Sequence, residues 1–115
     1  MLTLFQAEWC PFSAAVRERL TELGVDFVAR QVPPWPEQRE DVFALAGSDE
    51  IPVLQTDDGE LVVGTRAIFA FLATLPEGEY EAEHRDRYDE HRNARIADAS
   101  GRLLEKAAPI GERAA

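Results

Sequence analysis

Pro11 constrains what this chain can fold into more than any other single residue. Proline is favoured at the first position of a helix, where its missing N–H costs nothing and its fixed φ already fits. Before it, Leu2 to Phe5 reads as a short strand. After it, Phe12, Val16, Leu20 and Leu23 recur with helical spacing. Gly24 supplies the helix stop, and Val25 to Ala29 begins a second strand with Val25, Phe27 and Ala29 on one face. Two strands joined through a helix predict a parallel, right-handed βαβ unit.

The rest of the chain extends that unit. Pro33-Pro34-Trp35-Pro36 fits neither strand nor helix interior and must be a stiff loop. Trp35 either roofs the cysteine site described below or pins the loop onto the core, and pinning is the expected role. Glu37 to Ala46 reads as a short helix with Val42, Phe43, Leu45 and Ala46 as its apolar side, closed by Gly47. Two β-prone runs, Ile51 to Thr56 and Glu60 to Val63, flank Asp57-Asp58-Gly59 and predict an antiparallel hairpin. Pro52 opens the first run, where proline is permitted, and the Ile51–Pro52 bond is expected to be cis. Thr65 is expected to cap a further helix that buries Ala67, Ile68, Phe71, Leu72 and Leu75. The order is βαβ, helix, ββα. It predicts an α/β fold: a four-stranded mixed sheet with helices on both faces.

At 115 residues the chain holds one proper core. Its 22 acids outweigh 12 bases, giving a formal net charge of −10. With no basic stripe to meet phosphates, nucleic acid and anionic membrane surfaces are not expected partners. There is one cysteine, so no internal disulfide and no thiol-rich metal site is possible within the chain, which fits a reducing cytoplasm. No signal peptide and no transmembrane helix is expected, because no basic leader and no run of 18 apolar residues occurs.

That cysteine sits where a helix would activate it. With Pro11 at the first helical position, Cys10 is the N-cap, facing the free N–H groups of Phe12 and Ser13 and the positive end of the helix dipole. Both favour thiolate over thiol, and the thiolate is the nucleophile. The Ser13 hydroxyl, three residues on, adds another donor. Glu8 acts the other way as a like charge, and the helix terminus is expected to win.

The motifs Cys10-Pro11-Phe12-Ser13 after a short strand, Ile51-Pro52-Val53-Leu54, and Thr65-Arg66-Ala67-Ile68 before an apolar helix occur in this order. Together they resemble the thioredoxin-fold domain of glutaredoxins and glutathione transferases, nearest to the types with a cysteine site such as omega-class transferases and dehydroascorbate reductases. The resemblance covers residues 1–76. It implies a thioredoxin-like fold with Cys10 as nucleophile, Ser13 beside it, and Pro11 and Phe12 lining the thiol site. Ile51, before the cis Pro52, would pair its backbone with the peptide of glutathione. Thr65 and Arg66 would receive the γ-glutamyl carboxylate at a helix N-terminus. Two departures leave room for another low-molecular-weight thiol as cofactor. Gly64 stands where transferases usually carry Glu or Gln, and Gln6-Ala7-Glu8 where glutaredoxins usually carry a lysine.

Residues 77–115 form a C-terminal extension, too short for the helical second domain of a transferase. Glu79 to about Ala108 is rich in helix formers, with Tyr80, Tyr88, Ile96, Leu103 and Leu104 as a thin apolar stripe and a break near Gly101. This helix folds back over the sheet domain or pairs with a second subunit as a homodimer. His84 and His91 share a face, and with no third ligand at a fitting spacing they read as surface residues. The expected function is a monothiol, glutaredoxin-like thiol-disulfide oxidoreductase or transferase acting on small thiols and mixed disulfides. With Ser13 in the place of a second cysteine, no intramolecular disulfide can form. The alternatives are a non-catalytic thiol-binding or iron–sulfur-binding module, and an interaction domain.

Overall fold

The computed structural model describes the backbone of residues 1–104 and the side chains of residues 1–95. Strands β1 (Leu2–Gln6), β2 (Phe27–Gln31), β3 (Val53–Gln55) and β4 (Leu61–Val63) form one mixed sheet in the order β2-β1-β3-β4. β1 pairs with β2 in parallel, starting at Leu2 opposite Phe27. β3 runs antiparallel to both β1 and β4, with Phe5 opposite Val53 and Val53 opposite Val63. The helices are α1 (Pro11–Leu23), α2 (Glu40–Ala46), α3 (Thr65–Leu72) and α4 (Glu81–Leu104), with a short 3-10 turn at Pro36–Gln38.

Strand alternation divides the core in two. Leu2, Leu4 and Leu54 point to one face and pack with Val16, Leu20 and Leu23 of α1 and Ile68 and Leu72 of α3. Phe5 and Val53 point to the other, against Val42 of α2. Helices therefore cover both faces, as the sequence predicts. Each fully buried Leu, Ile or Val contributes about 1.5–3 kcal/mol of transfer free energy.

Several local expectations need correction. β2 begins at Phe27 rather than Val25, because the Val25 N–H donates to the Leu20 carbonyl (3.0 Å) and so belongs to the turn that ends α1. The helix expected over Glu37 to Ala46 is broken at Arg39 into the 3-10 turn and α2. At seven residues α2 presents only Val42 and Ala46, one turn apart, to the core; Phe43 and Leu45 are exposed. Trp35 is 60% exposed and does not pin its loop. The buried Arg39 does so instead: its guanidinium donates to the carbonyls of Pro33 (2.9 Å), Pro34 (3.1 Å) and Asp49 (2.9 Å). Phe12 is exposed, although its spacing assigns it to the buried side of α1.

At α3 the N-cap is Gly64, not Thr65, and no side chain caps the helix. Gly64 has φ 87°, a region that suits glycine and not threonine. Helical backbone starts at Thr65, and the Ile68 N–H donates to the Gly64 carbonyl (3.0 Å). Of the expected inner face, Ile68 and Leu72 are buried, Phe71 and Leu75 partly so, and Ala67 is exposed.

The chain divides into two compact units, Met1–Glu81 and Ala82–Ala115. The segment after α3 belongs with the first. Gly78 lies so close to the end of α1 that an added Cβ would sit 2.8 Å from Leu23 Cα and nearer still to the Glu22 carbonyl. Arg19 pairs with Glu22 (2.9 Å) and with Glu81, fixing the residue at which α4 starts. α4 runs through Gly101 without the expected break. Tyr80, Tyr88, His84 and His91 are exposed, and the expected helix end near Ala108 lies outside the described residues.

Candidate functional site

Sheet topology gathers the expected site residues at one end. β1 leads to Cys10. β3, antiparallel to β1, starts beside the end of β1, so Ile51 and Pro52 lie at that same end. β4 reverses again and delivers Gly64, Thr65 and Arg66 there as well. The Ile51–Pro52 peptide is cis. The Pro52 carbonyl accepts the Gly64 N–H at 3.0 Å, which ties the start of β3 to the start of α3.

Cys10 has extended backbone angles and caps α1, with Pro11 in the first helical turn. It is 5% exposed, and its Sγ accepts the Ser13 N–H at 3.5 Å. Ser13 is fully buried. Its Oγ accepts the Ala7 N–H (3.4 Å), which leaves its own proton for Cys10. Burial pushes the thiol pKa up and is the largest single effect. Against it act the Ser13 hydroxyl, the Ser13 and Phe12 N–H groups and the charge of Arg39, and together they leave Cys10 below its ordinary value. Glu8, the nearby like charge, is turned to solvent and paired with Arg17 at 3.4 Å.

Two participants escape sequence reasoning. Arg39 is 6% exposed, supplies the cation nearest in effect to the thiol, and anchors Asp49 just ahead of Ile51. Its only signal is that no other basic residue occurs between Arg30 and Arg66. Gln6 is fully buried at the end of β1. Its amide donates to Glu8 Oε1 (3.0 Å) and Gln31 Oε1 (3.2 Å) while its carbonyl oxygen accepts from Arg17, so the segment leading to Cys10 is held from three sides.

The remaining expected residues differ in setting. Pro52 is buried and Ile51 half-buried; Pro11, Phe12 and Arg66 are exposed, and Thr65 is half-buried. The space beside Gly64 is taken by a carboxylate from elsewhere: a Cβ at that position would lie 2.9 Å from Glu50 Oε1. The start of α3 thus has a cation on Arg66 and an anion on Glu50 near it. Among the described residues no cluster of three metal-ligating side chains occurs, and no helix is long and apolar enough to cross a membrane.

The arrangement is a buried thiol with a lowered pKa at a helix N-terminus, beside a cis-proline strand with a half-buried residue before it. No curated protein sequence matches the chain. Solved structures do. A possible glutathione S-transferase from Rhodopseudomonas palustris superposes with a TM-score of 0.57 at 25% identity, over 71% of this chain and 46% of that one. A glutathione S-transferase III in its apo form gives 0.57 at 30% identity, over 67% and 37%. A rice glutathione S-transferase in complex with glutathione gives 0.55 at 25% identity, over 62% and 31%. The chain spans less than half the length of each of these proteins. A family model described as the glutathione S-transferase N-terminal domain matches residues 9–75, the stretch that runs from the cysteine loop to the end of the α3 segment. The four-stranded thioredoxin-like sheet, its cis-proline and that match agree: the chain belongs to the glutathione S-transferase N-terminal domain family.

Proposed function

We propose that this protein is a monothiol thiol-disulfide oxidoreductase or transferase that uses glutathione or a similar low-molecular-weight thiol, with Cys10 as its nucleophile. The observation that carries the reading is the setting of Cys10: an N-cap sulfur with the Ser13 N–H on it, its pKa lowered despite burial. Glutathione is bound by the rice relative named above, which supports the choice of thiol.

In the proposed reaction the Cys10 thiolate attacks one sulfur of a mixed disulfide. The bond between Cys10 and the small thiol forms as the substrate disulfide breaks, and the other half leaves as a thiolate that takes a proton from solvent. A second small thiol then attacks the adduct, releasing the oxidised small-thiol disulfide and restoring the Cys10 thiolate. Ser13 holds the thiolate form but cannot resolve the adduct. Ile51 offers its backbone to the peptide of the thiol, with Pro11 and Phe12 beside it. Near the start of α3, where Thr65 supplies a free N–H, Arg66 and Glu50 present opposite charges. A γ-glutamyl group brings a carboxylate and an ammonium to match them.

In this reading residues 1–76 carry the chemistry in the cytoplasm, and residues 77–115 are a C-terminal extension whose helix α4 (Glu81–Leu104) pairs two copies. The test is turnover: reduction of hydroxyethyl disulfide by glutathione, coupled to regeneration of reduced glutathione. The parent protein turns over and Cys10→Ser does not. Equal background rates for the two would overturn the proposal. Arg66→Ala then separates recognition from chemistry. It slows adduct formation with anionic disulfides and leaves a neutral disulfide at its parental rate.

A further inference from the structure

The end of the sheet away from Cys10 carries a cleft of about 510 Å³. Its floor is apolar, made by Leu2 of β1, Leu23 and Val25 at the end of α1, and Phe71 and Leu75 in and after α3. Its rim is acidic: Asp57, Asp58 and Glu60 come from the hairpin between β3 and β4, and Glu77 and Glu79 from the segment leading to α4. No basic residue lines it.

These features belong together physically. A cavity of this size suits one small ligand, and an apolar floor with a few polar groups at its edge is the usual form of such sites. The rim charge has one sign only. Asp57 is paired with the Met1 amino group. Asp58, Glu60, Glu77 and Glu79 have no such cation: among the described residues no salt bridge involves them. Gly78, seated on the end of α1, fixes the segment that carries Glu77 and Glu79, so those carboxylates stand on a held backbone.

We propose that this cleft is a second binding site, for a small organic cation: an ammonium on an apolar aromatic or branched body. The body displaces water from Leu23, Phe71 and Leu75, and the ammonium meets the rim carboxylates. The site is separate from the thiol chemistry, since its residues lie at the far end of β1 and of the hairpin. Its existence does not depend on what Cys10 does.

Amide NMR of the full chain during titration tests this, with three probes sharing one body: 4-phenylbutylamine, 4-phenylbutanol and 4-phenylbutyrate. The ammonium probe shifts the amides of Leu23, Val25, Phe71, Leu75 and Gly78 with one midpoint and leaves Cys10 and Ser13 unmoved. It binds about tenfold more tightly than the alcohol at low salt, the carboxylate does not bind, and the preference shrinks as salt screens the rim. In the quadruple variant Asp58→Asn, Glu60→Gln, Glu77→Gln, Glu79→Gln the ammonium and alcohol probes bind alike. No shifts at the cleft would overturn the proposal. So would equal binding of ammonium and carboxylate, shifts centred on Cys10, or cleft resonances that broaden with protein concentration alone, which would mean that a second copy covers it.

Discussion

At the scale of single residues, Cys10 is a contest between burial and hydrogen bonding. Burial alone would push the thiol pKa up. The Ser13 hydroxyl, two N–H groups and Arg39 outweigh it and leave the pKa lowered. Alkylation rate against pH should therefore show a midpoint below the ordinary thiol value of about 8.5. Ser13→Ala should raise the midpoint, and Arg39→Gln should raise it less. A parental midpoint at or above the free value would contradict the assignment. The same shift makes a linkage prediction. A group whose folded pKa is depressed adds stability above its unfolded pKa and loses it as pH falls through the folded value. The parent should therefore gain stability over Cys10→Ser as pH rises through that window, measured by urea unfolding at several pH values. Cys10 and Ser13 were legible in the sequence because cap and third residue share one helical turn. Arg39 was not, because its three carbonyl partners and its effect on the thiol come together only after the sheet forms.

At the scale of elements, two glycines and one corrected cap set the expectations. Gly78 has α1 backbone where a Cβ would go, so Gly78→Ala forces the segment before α4 off its seat. Overpacking of this kind costs about 1–3 kcal/mol, to be read from the urea midpoint. An unchanged midpoint would mean that the segment does not depend on that contact. Thr65→Ala has the opposite expectation. With Gly64 as the N-cap and no side-chain cap bond, it should cost well below the ~1 kcal/mol of a lost cap. The four strands and four α-helices were legible in outline from periodicity, helix-forming composition, Pro11, Gly24 and the Asp-Asp-Gly turn, but the break at Arg39 that sets the 3-10 turn apart from α2 was not. Boundaries moved where a residue serves two elements, as Val25 does in the α1 turn. The threonine cap failed because sequence alone does not reveal that Gly64 takes a positive φ.

At the scale of the whole molecule, topology does what no local motif can. Two reversals of direction, at β3 and β4, bring the cysteine loop, the cis-proline and the start of α3 to one end of the sheet. An acidic cleft is left at the other. That division was only partly legible: the order of motifs predicted the first end, while the cleft arises from side chains of β1, α1, α3 and the hairpin meeting in space. The proposed function rests on one reaction, capture of a small thiol by Cys10. Intact mass after incubation with glutathione disulfide measures it directly. The parent should gain one glutathionyl group, at a rate that rises with pH and levels off below the ordinary thiol range. Added glutathione should remove that group, and Cys10→Ser should stay unmodified. A parent that remains unmodified at pH values where its thiol is ionised would contradict the account.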